Sequence, residues 1–409
     1  MKPLHFGGSG FEYFKIWIVN ILLIIITLGV YYPWAKVRNQ RYFYANTTLE
    51  GRNFEYHATG KQLLMGYIIA MVFLIVVSIV QNISPIGALG AFLSLSVIIP
   101  WVVWRSLAFS MRMSSFSNVR FSFVGDLKGA YINFMLLPGL LLLCIYGGPS
   151  LVLLWLITLP TSIGMDEGLL ILTFALVLIV LILYLFAFLK NKNTCYMVNG
   201  YRFGQGQFST LLETQEFAKI LLKTLGLAVL ILMSIAIFTV FLMVLAGGGS
   251  SLLNIFSQDA GDILELLLRH NIEGALGLVY ITFLMSTFIL VAYFQSQVRQ
   301  YVFTNTVLNE NVNFSSSLTT ISLAWLMMSN FLLVLVTLGL GTPWAKVRRA
   351  KLILKNTLVV VEHGVDGFIT QQQDKQSALG EQIGDAFDVD IGIGVWVKVQ
   401  VKVNLEKVC

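Results

Sequence analysis

The sequence predicts an all-α polytopic membrane protein with internal repeats, six to eight membrane segments and small cytoplasmic β-hairpin elements. Of its 409 residues 57% are hydrophobic and only 12% are charged, against about 25% charged in an ordinary soluble domain. The charges are clustered and leave uncharged runs at 16–35, 62–104, 129–165, 168–189, 224–258, 274–298 and 311–345, each long enough for the roughly 20 apolar residues that cross a bilayer. A 19-residue segment near the start also recurs near the end, which points to duplication. These features exclude a soluble globular enzyme.

Reading apolar windows between charges gives segments near 16–34, 63–80, 86–107, 131–159, 169–189, 220–246, 274–294 and 321–341. The fourth is interrupted by Pro138, Gly147, Gly148, Pro149 and Pro160 and is read as one kinked or tilted helix, because two crossings do not fit its length. Connections carrying Lys36, Arg38, Arg41, Arg52 and Lys61, then Arg105, Arg112, Arg120 and Lys128, then Lys190, Lys192, Arg202 and Lys219 belong in the cytoplasm by the positive-inside rule. Gln81 to Pro85, a short loop with Asp166 and Glu167, and a Gly247 to Ser251 turn followed by Asp259, Asp262 and Glu265 face outward.

A basic stretch with Lys346, Arg348, Arg349, Lys351 and Lys355 would fall outside if all eight segments crossed. The first and eighth segments are therefore read as re-entrant or interfacial hairpins bent at a Thr-Leu-Gly, leaving six true spans and cytoplasmic termini. The amino-terminal MKPLHFGGSGFEYFK lacks the pattern of a cleavable signal, so the first apolar segment is expected to stay in the mature chain.

Residues 20–38, NILLIIITLGVYYPWAKVR, and 330–348, NFLLVLVTLGLGTPWAKVR, agree at twelve of nineteen positions at a constant offset of 310. Asn46-Thr47 matches Asn356-Thr357 in the same register, Asn305-Thr306 repeats the pair, and a fainter copy runs through Pro100-Trp101 and Arg105. Pro33 is expected to end or kink the preceding helix, and Trp34 has the amphipathic ring favoured at headgroup level. The cations beyond it suit an anionic leaflet, each worth about 1 kcal/mol. Candidate contacts for lipid headgroups or a partner are Trp34, Lys36, Arg38, Arg41, Trp344, Lys346, Arg348 and Arg349. Arg41 to Tyr56 reads as two β-prone stretches, RYFYANTTL and NFEY, joined at Glu50-Gly51-Arg52. Segments 105–125, 193–208, 299–314 and 351–369 are candidates to pair with that hairpin in one small sheet, since a lone hairpin is marginal.

The combination of Pro-Trp-Ala-Lys-Val-Arg after Thr-Leu-Gly, the stretch Asn46 to Phe54, and Gly384-Asp385-Ala386-Phe387-Asp388-Val389-Asp390-Ile391-Gly392 resembles the YjgN-like bacterial inner-membrane proteins over roughly residues 10 to 392. That family is defined by a domain of unknown function, so the resemblance implies a multi-pass location in the bacterial inner membrane rather than an activity. Residues 1–392 are expected to form a single internally duplicated membrane domain, with repeat motifs near 20–60 and 330–369 and degenerate copies between. Residues 393–409 depart from the family pattern: valines at 395, 397, 399, 401 and 403 alternate with polar or bulky residues, a period of two that reads as a strand-like tail.

Chemistry-bearing signals are sparse. The apolar segments lack internal Asp, Glu, Lys, Arg and His, which argues against a proton relay or ion-coupled pump. Their neutral polar groups, Asn20, Asn330, Ser78, Asn82, Thr282, Ser286 and Thr287, are expected to bridge helices. Cys144, Cys195 and Cys409 form no CxxC pattern, and His5, His57, His270 and His363 fall in connections or termini without HExxH, so no metal and no cofactor are expected. The glycine pairs and triplets at 147–148 and 247–249 read as turns. Basic residues flank spans instead of forming one patch, which argues against nucleic acid. The expected function is noncatalytic, with membrane lipids, anionic ones among them, as partners. The alternative is a transporter or channel for a neutral or lipidic solute. A headgroup-modifying enzyme would have to use Glu50, Glu55 and His57.

Overall fold

A computed structural model describes residues 2–151, 154, 165–243, 273–309 and 311–361, with 367, 369–370 and 372–373 beyond them. Pro160, the 247–251 turn with Asp259, Asp262 and Glu265, His270, His363, the 384–392 motif, Cys409 and the 393–409 tail lie outside the described residues. The chain divides into two compact units, one of 1–218, 300–317 and 343–409, the other of 219–299 and 318–342.

The protein is mostly helical. Its helices are α1 (Gly10–Ile26), α2 (Tyr32–Ala45), α3 (Gly60–Ile83), α4 (Pro85–Arg112), α5 (Leu127–Tyr131), α6 (Leu137–Leu142), α7 (Met165–Gly200), α8 (Thr214–Met243), α9 (Glu273–Thr304), α10 (Thr320–Val336) and α11 (Thr342–Lys355). Six helical stretches among the described residues have the length and apolarity to cross a membrane: Gly60–Asn82, Pro85–Arg112, Leu127–Leu151, Gly168–Gly200, Thr214–Phe241 and Gly277–Thr304. They coincide with the six interior segments expected from hydropathy. α1 and α10 have 17 residues each, about 25 Å at 1.5 Å per residue, less than the roughly 30 Å hydrocarbon core.

Several local expectations are corrected. Gly147 and Gly148 do not form a turn: π-helical turns at Ile132–Leu136 and Leu143–Gly147 flank α6 and carry the segment through Pro138. An apolar segment must satisfy its backbone internally, and widened helical turns do so where proline lacks an N–H. Asp166 and Glu167 fall within α7 and not in a loop. Ser78, Asn82, Thr282, Ser286 and Thr287 do not bridge helices through the hydrogen bonds seen here. Asn82 donates to the Ser78 carbonyl, and the three hydroxyls of Thr282, Ser286 and Thr287 donate to carbonyls of their own helix.

The strands are β1 (Lys2–Pro3), β2 (His5–Phe6), β3 (Thr47–Leu49), β4 (Arg52–Tyr56), β5 (Ser114–Phe116), β6 (Val119–Phe123), β7 (Tyr201–Phe203), β8 (Gly206–Thr210), β9 (Thr306–Leu308), β10 (Val312–Ser316) and β11 (Thr357–Val361). All belong to the first unit, pair antiparallel with their neighbours, and run in the order β1-β11-β10-β9-β8-β7-β6-β5-β4-β3-β2. β1 and β2 are successive pieces of one extended segment. Lys2 and Pro3 pair with β11, Leu4 N–H donates to Thr357 O at 3.1 Å, and His5 and Phe6 pair with β3. Residues 2–6 thereby join the two ends of the sheet, and closure removes the open edges on which an isolated sheet would aggregate.

The barrel interior is apolar: Leu49, Phe116, Val119, Phe203, Leu308, Val312 and Val359 are buried with Ile369 from the carboxyl-terminal segment, and Phe54, Phe121, Phe208 and Phe314 pack against them. Gln372, fully buried, accepts from Gln205 N–H at 3.1 Å. In the second unit Phe288 and Phe331 meet at 5.3 Å, and Ser296 Oγ lies 2.9 Å from Thr320 Oγ1.

The helix-to-strand junctions before β3, β9 and β11 share one device. Asn46, Asn305 and Asn356 each donate from Nδ2 to the carbonyl four residues back, and the following Thr47, Thr306 and Thr357 hydroxyls do likewise. Each asparagine side chain thus reinforces a carbonyl that already accepts from its own backbone N–H, and the threonine hydroxyl takes the next carbonyl along as the chain turns into a strand. Three residues beyond the strands β2, β4, β6 and β10, the side chains of Ser9, Thr59, Asp126 and Thr319 cap the next helix. This overturns the reading of Arg41–Ala45 as strand: α2 runs to Ala45, and only Thr47–Leu49 is extended. Residues 105–112, 193–200, 299–304 and 351–355 are likewise helical.

The Thr-Leu-Gly turns are alike in the two sequence copies. Thr27 Oγ1 donates to Leu23 O and accepts from Tyr31 N–H, and Thr337 Oγ1 donates to Leu333 O and accepts from Gly341 N–H. Leu28 and Leu338 have φ of 49°, followed by Gly29 at 90° and Gly339 at 94°. A left-handed leucine costs about 1–2 kcal/mol, yet each is 93% exposed at the tip of its turn. Pro33 opens α2 instead of ending the helix before it, because a missing N–H costs nothing in a first helical turn.

Candidate amphiphilic cleft

α1 and α2 form a helical hairpin within the first unit. Asn20 on α1, only 2% exposed, donates from Nδ2 to Asn39 Oδ1 at 3.1 Å and accepts from Arg38 Nη1 at 3.4 Å. This polar bridge fixes the two helices beside a cleft of about 340 Å³. Its walls carry Tyr13, Trp17, Ile21 and Ile24 from α1 and Asn39, Gln40 and Phe43 from α2. Lys36 from the first copy of the motif and Lys346 from the second line the same cleft. Among the described residues neither ammonium has a hydrogen-bond or ion-pair partner, and no carboxylate lines the walls.

The remaining candidate residues serve other contacts. Trp34 stacks with Tyr31 at 6.0 Å and lies against the start of α3, where a Cβ on Gly60 would overlap the indole ring. Trp344 packs on Phe14 at 5.0 Å and covers Gly10 at the start of α1 in the same way. Each motif tryptophan thus sits on the first residue of a helix that follows a barrel strand. Arg41 donates to Ala58 O at 2.8 Å, one residue before the Thr59 cap. Trp104 Nε1 donates to Gly125 O before Asp126, and Asn191 donates to Leu212 O at 3.2 Å. Arg38 also reaches Tyr31 Oη at 3.3 Å, and Arg348 and Arg349 are exposed on α11 outside the cleft wall.

Tyr13 was not singled out from sequence. Its ring is fully buried between Tyr42, at 5.2 Å, and Phe43, at 4.9 Å, and its hydroxyl has no hydrogen-bond partner among the described residues. The signal that could have found it is Ser9-x-x-Glu12, whose reciprocal capping bonds start α1 and set the face on which Tyr13 lies. Burial pushes its phenol up to about 12, with the neighbouring Tyr42 adding to the rise. Because the folded-state value exceeds the unfolded value of 10.0, the contribution is complete below about pH 10 and is lost as pH climbs toward 12. Thermal midpoints of the solubilised protein should therefore fall over that window, and Tyr13→Phe should make the fall shallower.

The possible enzymatic group is not a relay. His57 Nε2 lies 2.7 Å from Ser115 Oγ and 3.5 Å from Glu55 Oε2, so serine and carboxylate meet the same ring nitrogen. A serine-histidine-carboxylate relay uses both nitrogens. Glu50 is bound to Lys2 at 2.8 Å. Among the described residues no cluster of three or more His, Cys, Asp or Glu has metal-binding geometry.

Six membrane-length helices among the described residues define a polytopic membrane protein. The family described as "Bacterial protein of unknown function (DUF898)" matches residues 1–386, and the chain belongs to it. It is similar to inner membrane protein YjgN of Salmonella typhimurium strain LT2, 30% identical over 359 residues that cover 87% of this chain and 88% of that one. Inner membrane protein YjgN of Escherichia coli O157:H7 is 26% identical over 88% of this chain and 89% of its own. No solved structure matches the chain. The protein is a multi-pass protein of the bacterial inner membrane.

Proposed function

We propose that the protein is a noncatalytic inner-membrane protein whose repeated basic and aromatic motifs contact anionic lipid at the cytoplasmic surface. The observation that carries this reading is the convergence of Lys36 and Lys346, 310 positions apart in sequence, on one cleft with an apolar wall. Two ammonium groups without a partner or a compensating carboxylate among the described residues favour an anion, and Trp17, Ile21 and Ile24 favour hydrocarbon beside it. The exposed Leu28 and Leu338 tips support the re-entrant reading of α1 and α10, since a strained apolar turn without water-seeking side chains suits the hydrocarbon region. On that reading the barrel strands and the basic connections lie on the cytoplasmic side.

Native mass spectrometry of the purified protein tests the proposal. A variant with Lys36, Arg38, Lys346 and Arg348 neutralised together should lose copurified anionic lipid while keeping zwitterionic lipid. Equal retention of anionic lipid would reduce the motifs to topology anchors.

A further inference from the structure

Four hairpins of the barrel, β3–β4, β5–β6, β7–β8 and β9–β10, share one plan: a three-residue strand leaves a helix, a tight turn follows, and a five-residue strand leads to the next helix. Their helices therefore attach at one end of the barrel, and their turns lie at the other. Leu49, Phe116, Phe203 and Leu308 each end the first strand beside the turn. The residue after each is left-handed, Glu50, Ser117 and Asn309 at φ of 49°, 48° and 50° and Gly204 at 56°. β11 leaves α11 in the same direction, but its partner strand comes from the amino terminus, so the chain beyond Val361 starts at the turn end without a hairpin to complete.

That chain returns over the barrel mouth. Ile369 is 1% exposed and packs in one cluster with the four strand-ending residues. Gln372 accepts from Gln205 N–H in the β7–β8 turn at 3.1 Å, and Gln373 Nε2 donates to Ser117 O in the β5–β6 turn at 2.9 Å. Ile369 and Gln372 are both helical and three apart, which puts them on one face. Among the described residues none of this segment joins the strand ladder. Ordering a chain segment costs conformational entropy that a buried isoleucine and side-chain hydrogen bonds offset only narrowly. An element held in that way opens locally while a paired sheet stays formed.

We infer that the helical turn carrying Ile369, Gln372 and Gln373 is a lid on the turn end of the barrel, which opens and closes over the apolar interior while the strands stay paired. Closed, Ile369 shields Phe116 and Phe203 from water. Open, it gives access to the interior from the end away from the helices. The inference is independent of the lipid-contact reading, which concerns the cleft beside α1 and α2.

The test uses the full chain in detergent carrying Val312→Cys, a side chain 3% exposed in the covered cluster, with maleimide labelling at position 312 read by peptide mass spectrometry. Gly204→Cys with Gln372→Cys locks the lid, because a Cβ at Gly204 would lie 3.6 Å from the Gln372 Cβ, within disulfide range. The Gln372 Oε1 that this Cβ would crowd leaves with the same substitution, and Val119 Cγ1, at 3.0 Å, has to shift slightly. Glu50, Ser117 and Asn309 show that the turn accepts a side chain in that backbone conformation. Ile369→Ser loosens the lid. Position 312 should label slowly in the unlocked chain, at least tenfold more slowly in the oxidised lock, and at the unlocked rate again after reduction. Ile369→Ser should label at least tenfold faster, the scale of one buried aliphatic side chain. Amides of β5 to β8 should exchange slowly throughout, which separates lid opening from unfolding. A labelling rate that the lock leaves unchanged would overturn the lid, since access would then come from parting of the strands. Equal rates with and without Ile369→Ser would overturn it as well. Labelling of the unlocked chain no faster than exchange of the ladder amides would make the segment a fixed part of the core.

Discussion

A chain lacking residues 2–6 should unfold at a much lower temperature than the intact protein, because those five residues close the barrel. Lys2 and Pro3 pair with β11 while His5 and Phe6 pair with β3, so their removal turns a closed ring into a sheet with two free edges. Phe6 is also 4% exposed, stacked at 5.5 Å on Phe43 and packed with Tyr13 and Val347. Truncating such a side chain costs about 3–5 kcal/mol. Phe6→Ala alone should therefore produce a large part of the loss while the backbone ladder stays intact. Hydrogen exchange distinguishes the two: the deletion should release the amides of β3 and β11, whereas Phe6→Ala should leave them slower to exchange than in the deleted chain. Equal stability of deleted and intact chains would mean that the sheet holds without closure.

The second large effect is expected at Gly10 and Gly60. A Cβ at Gly60 would collide with Trp34, and one at Gly10 with Trp344. The obstacle in both cases is a rigid indole, already packed against Tyr31 or Phe14. Overpacking of this kind costs about 1–3 kcal/mol, so Gly60→Ala and Gly10→Ala should each lower the unfolding midpoint although alanine is the better helix former. Combining Gly60→Ala with Trp34→Leu should recover part of the loss, and the recovery is read as a non-additive term in a double-mutant cycle. Additive effects would mean that indole and helix start are energetically independent.

These residues mark where sequence reasoning reached and where it stopped. The six spans were legible because hydropathy over some 20 residues is a strong, local signal. The Asn-Thr pairs at 46, 305 and 356 were visible as a pattern, but their role was not: ending a helix by bonding back four residues is a matter of geometry. Strands of two to five residues carry too little periodicity to be delimited, so Arg41–Ala45 looked extended from its aromatic content although α2 continues through it. Closure of the sheet depends on Lys2–Leu4 meeting Thr357–Val359 across nearly the whole chain, and no local signal encodes such a pairing. In sequence Trp34 and Trp344 read as headgroup anchors, and their packing on glycines was not legible, since those glycines lie 26 residues onward for one and at the opposite end of the chain for the other. Lys36 and Lys346 were each legible as basic residues next to an apolar boundary. Their meeting in one cleft, and the buried Tyr13 beside them, depend on the fold.

The central claim is that two copies of one motif build a single lipid site, and its most direct measurement is a lipid count by native mass spectrometry across a cycle of Lys36→Gln, Lys346→Gln and the double variant. One shared site predicts that each single variant weakens the same tightly held phosphatidylglycerol and that the double variant loses no second one. Loss of one lipid in each single variant and two in the double would contradict the claim, because each motif would then hold a lipid of its own.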